Sequence, residues 1–239
     1  MSVSNPKAIR TVDVWSATTD VSEADYAHYF TLLSAREKER ALRFVFAKDR
    51  WCYTVAAGVL REILGRYLKL SPQAIHFQYG EHGKPFLLAA LNATQLQFNL
   101  SHSGKQILLA VTQERELGID IERMREDYGG VEVAQRFFAE EEYDALIALP
   151  KELQAQAFFN GWTRKEAFIK AIGAGLYFPL RDFVVELRPE HKPALVSIKQ
   201  DVNAAASWSM HDLAVTPGYV AALAIPCAQV TLNRLDYQP

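Results

Sequence analysis

Leu96-Gln-Phe-Asn-Leu-Ser-His-Ser103 is the stretch on which the fold turns. Before it, apolar residues recur at helical spacing. From Leu96 onward they recur at every second position, Leu96, Phe98 and Leu100 alternating with Gln97 and Asn99. Period two marks a half-buried strand, because successive side chains leave a strand on opposite faces. Residues 107–112 read as a second strand and 117–122 as a third. Working back, Ser34-Ala-Arg-Glu37 has the S-x-x-E form of a capping box, and Val55, Val59, Leu60, Ile63, Leu64, Tyr67 and Leu68 make one apolar stripe. Residues 34–68 are therefore expected to be helical. Gly80 and Gly83 bracket a turn that leads into Lys84-Pro85.

Working forward, the same order of elements recurs. Gly129-Gly130 breaks the chain before helical stretches at 131–148 and 152–172. Strands are expected around 183–187, 194–198, 207–215, 219–225 and 229–235. The expected class is α+β: two similar halves, residues 1–114 and 115–239, each with helices packed on a small antiparallel sheet. Leu-Ala-Val-Thr recurs at 109–112 and 213–216, but four common residues give duplication little support.

Composition narrows the function. With 49% hydrophobic and 23% charged residues in 239, the chain is a globular protein rather than a disordered one. Its 26 Lys+Arg against 28 Asp+Glu give a formal charge of −2, which argues against a dedicated nucleic-acid binder. Cys52 and Cys227 lack metal-ligand spacing and make no disulfide framework. Residues 1–7 carry no apolar signal segment, and no run approaches membrane-spanning length. A cytoplasmic protein that avoids membranes is expected, so the sequons at Asn92 and Asn99 have no consequence.

Three stretches could carry chemistry. In Leu117-Gly-Ile-Asp-Ile-Glu122, strand alternation aims Asp120 and Glu122 to one side and Leu117, Ile119 and Ile121 to the other. Two carboxylates so placed can converge on a hard divalent cation, although a strand with one solvated acidic face has the same pattern. In Trp162-Thr-Arg-Lys-Glu-Ala-Phe-Ile-Lys170, Glu166 and Lys170 are one helical turn apart, amid aromatic residues that would partly bury them. An exposed Glu–Lys helix pair is the plainer reading. Phe98-Asn-Leu-Ser-His-Ser-Gly104 ends a strand with Ser101 and His102, and His102 could be no more than a hydrogen-bonded turn residue. A basic cluster, Arg36, Lys38, Arg40 and Arg43, is either a solvated helix face or a phosphate site. The chain has no G-x-S-x-G elbow, H-E-x-x-H or Walker A loop.

Gly83-Lys-Pro85, Phe98-Asn-Leu-Ser-His-Ser103, Gly118-Ile-Asp-Ile-Glu122 and Trp162-Thr-Arg-Lys-Glu-Ala-Phe-Ile-Lys170, in that order, resemble the 4′-phosphopantetheinyl transferases. The spacing and length match the surfactin-synthetase-activating type over about residues 10 to 225. The resemblance implies a pseudo-symmetric monomer whose active site lies in the cleft between its halves. It implies coenzyme A as co-substrate and Mg²⁺, or Mn²⁺ in its place, held by Asp120, Glu122 and Glu166. Glu166 is then the base toward a carrier-protein serine, and Lys170 stabilises the departing 3′,5′-ADP. Arg40, Lys84, Pro85, Ser101 and His102 would contact coenzyme A, with Lys170 reaching it too; Arg36 and Lys38 are less securely implied. The implied partners are apo carrier proteins of the acyl, peptidyl or aryl kind. Two rivals are a metal-dependent nuclease and a non-catalytic module that binds coenzyme A or a carrier protein.

Overall fold

The computed structural model describes residues 10–125 and 129–238. The expectation that residues 1–7 carry no signal segment lies outside the described residues. Strand β1 (Arg10–Thr18) leads into α1 (Glu23–Leu32), α2 (Ala35–Leu42) and α3 (Ala47–Leu68). A short hairpin, β2 (Phe77–Tyr79) and β3 (Pro85–Leu87), precedes β4 (Leu96–Ser103), β5 (Gln106–Gln113) and β6 (Gly118–Arg123). The second half continues with α4 (Gly130–Phe137), α5 (Glu140–Ile147) and α6 (Lys151–Ile172). It ends with β7 (Phe183–Val185), β8 (Leu195–Ile198), α7 (Val202–Ala205), β9 (Ser209–Asp212), β10 (Tyr219–Ile225) and β11 (Val230–Asp236).

The α+β class and the paired halves hold, with three corrections. The helical stretch at 34–68 is two helices. Phe44-Val45-Phe46 puts aromatic and β-branched residues, poor helix formers, in succession, and Phe46 is extended at φ −91°, ψ 131°. The stretch at 131–148 is likewise divided, at Phe138-Ala139. Glu142 reopens the helix there by accepting from the Ala139 N–H at 2.9 Å. The third correction is topological. The last strand, grouped with the second half, lies parallel to β1 and completes the first sheet, whose order is β11-β1-β5-β4. The second sheet is β6-β10-β9, antiparallel throughout. Strand β1 and helix α1 had not been expected, although Val12 and Val14 alternate with Thr11 and Asp13, and Ser22 caps α1 through Asp25.

The layers follow from which side chains are apolar. One face of the first sheet packs on α3 through Phe98, Leu109, Val111, Val59 and Ile63. One face of the second packs on α6, with Ala222 and Ala224 against Phe168 and Ile169. The remaining faces meet, Val12, Val14, Leu108 and Ala110 burying Ile119, Ile121, Leu223 and Ile225. The result is helix, sheet, sheet, helix.

Each half is pinned by a buried ion pair of the same design. In the first, Glu37 of the α2 capping box accepts from Arg61 of α3, whose guanidinium also donates to the Pro72 and Ile75 carbonyls. In the second, Glu142 at the start of α5 meets Lys165 of α6 at 2.7 Å, and that ammonium donates to the Leu180 and Phe183 carbonyls. Arg61 lies over the Phe77 ring and Lys165 over the Phe183 ring.

Gly118 sets how closely β6 approaches α6. A Cβ there would collide with the Ala167 carbonyl oxygen and the Ala171 nitrogen, both backbone atoms of α6 that cannot rotate away. Gly118→Ala must push the strand off the helix, an overpacking cost of about 1–3 kcal/mol. A melting point lowered by roughly 2–12 °C is expected from that cost. A melting point within 1 °C of wild type would show that the packing yields freely.

Candidate active site

The cleft is built where β4, β6 and α6 come together. On β6 the apolar positions 119 and 121 go to the core, so Asp120 and Glu122 turn toward β4 and α6, as strand alternation requires. Asp120 is 3% exposed. Its Oδ1 accepts from Lys170 Nζ at 2.6 Å and from Ser101 Oγ at 2.8 Å. Lys170 also donates to Ser101 Oγ and to the Ile119 carbonyl. The helix-pair reading of Lys170 is thus corrected: the ammonium crosses to β6, to a residue fifty positions earlier in the chain.

Glu166, one turn before Lys170, has no hydrogen bond or ion pair among the described residues. Burial, then the charge of Asp120, pushes its carboxyl up to about 7 against the pull of Lys170. Glu122 is raised too, by burial and by Asp120, while Ser103 opposes the shift through a hydrogen bond. Three carboxyls therefore repel one another around a single ammonium. The second oxygen of Asp120, Oδ2, is buried and has no partner. Among the described residues no three acidic, histidine or cysteine side chains are grouped closely enough to hold a metal ion. The orphaned Asp120 oxygen and the unpartnered Glu166 are nonetheless what a hard cation would satisfy, and every donor is oxygen.

Beside Ser101 and Lys170, the partners of Asp120, a cavity of about 460 Å³ opens toward the first half, lined also by Arg40, Tyr53, Lys84 and His102. Pro85, the first residue of β3, also lines it. A second cavity of about 480 Å³ adjoins it, edged by Arg36, Arg40 and Arg43. Helical spacing sorts the basic cluster: Arg36, Arg40 and Arg43 share a face, whereas Lys38 lies over the Phe30 ring. Arg36 stacks on Tyr79 at 4.1 Å and Arg40 on Tyr53 at 5.1 Å, which holds both guanidiniums at the rim.

The remaining predicted contacts gain partners that the sequence did not show. Lys84 donates to the Ala171 and Leu117 carbonyls and lies 3.7 Å from Glu116, so it ties the hairpin turn to the second half. Burial pushes its pKa down. Ser101 gives its single proton to Asp120 and accepts from Lys170 and the Ile121 N–H, so its hydroxyl is fully engaged within the protein. Burial, then the charge of Lys170, pushes the His102 pKa down. Tyr53 and Tyr79 were missed; only their aromatic character hinted at them. Across the mouth, His82 stacks on Tyr177 at 4.5 Å between ring centroids, linking the two halves.

A cavity rimmed by Arg36, Arg40 and Lys84, next to a cluster of carboxyls, has the charges that suit a phosphorylated ligand. The family model for the 4′-phosphopantetheinyl transferase superfamily matches residues 116–224. The model for the N-terminal part of a 4′-phosphopantetheinyl transferase matches residues 15–114. The 4′-phosphopantetheinyl transferase HetI of Nostoc is 36% identical over 90% of this chain and 87% of its own. The 4′-phosphopantetheinyl transferase Sfp of Bacillus subtilis is 31% identical over 85% of this chain and 86% of its own. The human L-aminoadipate-semialdehyde dehydrogenase-phosphopantetheinyl transferase is 30% identical over 70% of this chain and 57% of its own. The chain belongs to the 4′-phosphopantetheinyl transferase superfamily, and within it to the Sfp-like type.

Proposed function

We propose that this cleft transfers 4′-phosphopantetheine from coenzyme A to a serine of an apo carrier protein and releases 3′,5′-ADP. The observation that carries the reading is a geometric one: Glu166, with no hydrogen bond or ion pair among the described residues, lies one helical turn from Lys170, whose ammonium pairs with Asp120. The serine oxygen bonds to the phosphorus nearer the pantetheine arm, its proton passes to Glu166, and the P–O bond to 3′,5′-ADP breaks. Lys170 faces the negative charge that gathers on the departing phosphate. Asp120, Glu122 and Glu166 would hold Mg²⁺, or Mn²⁺ in its place, which when bound neutralises pyrophosphate charge. The basic rim, with Arg40, suits the phosphates of the nucleotide end, and His102 lines the same cavity.

Both walls of the cleft come from one chain, which supports a monomer; we place it in the cytoplasm, off membranes and nucleic acid. Among the described residues no helix is long and apolar enough to cross a membrane. We also propose the division into 1–114 and 115–239, with β11 returning to the first sheet.

Intact mass measured on a panel of apo carrier proteins, after incubation with coenzyme A and Mg²⁺, tests the reaction. One added phosphopantetheine arm is expected on at least one carrier, and none on a carrier whose acceptor serine is alanine. An unmodified panel would overturn it. Arg40→Ala should raise the KM for coenzyme A with little change in kcat, since a charge-assisted contact is worth about 1.5–3 kcal/mol, roughly a 10- to 150-fold effect. If dephospho-coenzyme A lost as much as coenzyme A, Arg40 would not be reading the 3′-phosphate.

A further inference from the structure

Strands β4 and β6 lie side by side and parallel, yet belong to different sheets and share no main-chain ladder. What joins them is a row of side chains. Asn99 Oδ1 accepts from the Ile119 N–H at 2.9 Å, Ser101 Oγ from Ile121 at 3.4 Å, and Ser103 Oγ from Arg123 at 3.0 Å. Residues two apart on a strand share a face, so the three polar residues of β4 meet every second amide of β6. A serine hydroxyl has one proton. With its oxygen accepting from an amide, that proton goes elsewhere, and each serine sends it to a carboxylate. Ser101 donates to Asp120 at 2.8 Å and Ser103 to Glu122 Oε2 at 2.9 Å.

The two serines are not equivalent. Asp120 is also held by Lys170, so Ser101 is one of two restraints on it. For Glu122 the only hydrogen bond among the described residues is the one from Ser103. A carboxylate on a flexible two-carbon arm adopts one of several rotamers, and a single directed donor selects among them. The Arg123 amide sits at the exposed end of β6, where water can replace the serine oxygen. Loss of the hydroxyl should therefore disturb Glu122 far more than it disturbs the strand.

We propose that Ser103 is a positioning residue: it donates to Glu122 and restrains that carboxylate on the Asp120 side of β6, from which it would serve a divalent cation. The inference rests on the reading of Asp120, Glu122 and Glu166 as the cation's ligands. Outer partners of metal-ligating carboxylates typically account for 10- to 100-fold of metal affinity or activity.

The test is Mn²⁺ binding to the full chain, followed by the electron paramagnetic resonance signal of free Mn²⁺, beside a thermal melt. Wild type, Ser103→Ala, Ser103→Thr and Asp120→Ala are compared. Ser103→Ala is expected to weaken Mn²⁺ binding about tenfold with only a small change in melting point. Threonine, which keeps the hydroxyl, should recover most of the affinity. If Ser103→Ala binds Mn²⁺ within twofold of wild type while Asp120→Ala does not bind it, the positioning role is overturned and the metal reading stands. If alanine and threonine both bind weakly and both melt early, the serine is structural and the proposal fails. A wild-type protein that takes no Mn²⁺, or an Asp120→Ala variant that takes it equally, overturns the metal reading and this inference together.

Discussion

Glu166→Gln is expected to lower kcat by about 10²–10⁴-fold, the usual contribution of a positioned general base, and to raise the stability of the metal-free protein above pH 7. The stability effect follows from burial. Glu166 is withdrawn from water next to Asp120 with no partner, so its folded carboxyl is raised to about 7 from an ordinary 4.5. A raised carboxyl leaves stability intact only while it is protonated. Below the unfolded value the group costs nothing. As pH rises from 4.5 through about 7, the unfolded chain gives up the proton more readily and stability is lost. At pH 8 that cost is on the order of 2 kcal/mol, once partial solvent screening is allowed for. Glutamine carries no charge and escapes it.

Chemical denaturation of wild type and Glu166→Gln in a chelating buffer, at pH 5 and pH 8, checks this. The variants should coincide near pH 5 and separate at pH 8, with glutamine the more stable. Equal stability at both pH values, together with near-normal kcat, would reduce Glu166 to a solvated helix residue.

What the sequence revealed was local. Strand alternation put Asp120 and Glu122 on one side of β6, and the glycine at 173 stopped α6, where Gly173 has φ +67°. Partners distant in sequence were not legible. Helical spacing gave Lys170 to Glu166, and the fold gives it to Asp120. Nothing in Phe98–Ser103 announces that its serines meet the amides of another strand, because that depends on how the two sheets are brought face to face. Likewise β11 follows β10 in sequence but pairs with β1, a register set by the whole first sheet.

The repeat was legible as an order of elements, but its strongest expression is chemical. Arg61 and Lys165 are equivalent anchors, so Glu62 and Arg66 hold in the first half the positions of Glu166 and Lys170. There Glu62 accepts from Tyr237 and pairs with His28, and Arg66 lies over the Tyr237 ring. The C-terminal segment occupies in one half what the other leaves open.

Lys165→Met is expected to destabilise the fold by about 3–5 kcal/mol, the range for removing one partner of a buried ion pair. Lys165 and Glu142 are both essentially inaccessible, and burial drives the lysine pKa down and the glutamate up while their attraction opposes both shifts. Glu142 also accepts from the amides of Ala139 and Val185, so it cannot turn out to water when the ammonium is gone. Left alone, its folded pKa must rise further, because burial remains and the neutralising charge does not. A raised carboxyl loses stability as pH rises, so the deficit should be larger at pH 8 than at pH 5. Lys165→Met combined with Glu142→Gln should recover part of the loss, since the amide carbonyl still accepts a hydrogen bond and the stranded charge is removed. The position also bears on function. Lys165 precedes Glu166 on α6 and fixes how that helix is rotated, so Glu166 and Lys170 face the cleft rather than the core. Urea unfolding of the three proteins at both pH values measures all of this. A Lys165→Met loss below about 1 kcal/mol, or one independent of pH, would show that Glu142 finds another partner and that the pair does not anchor the helix.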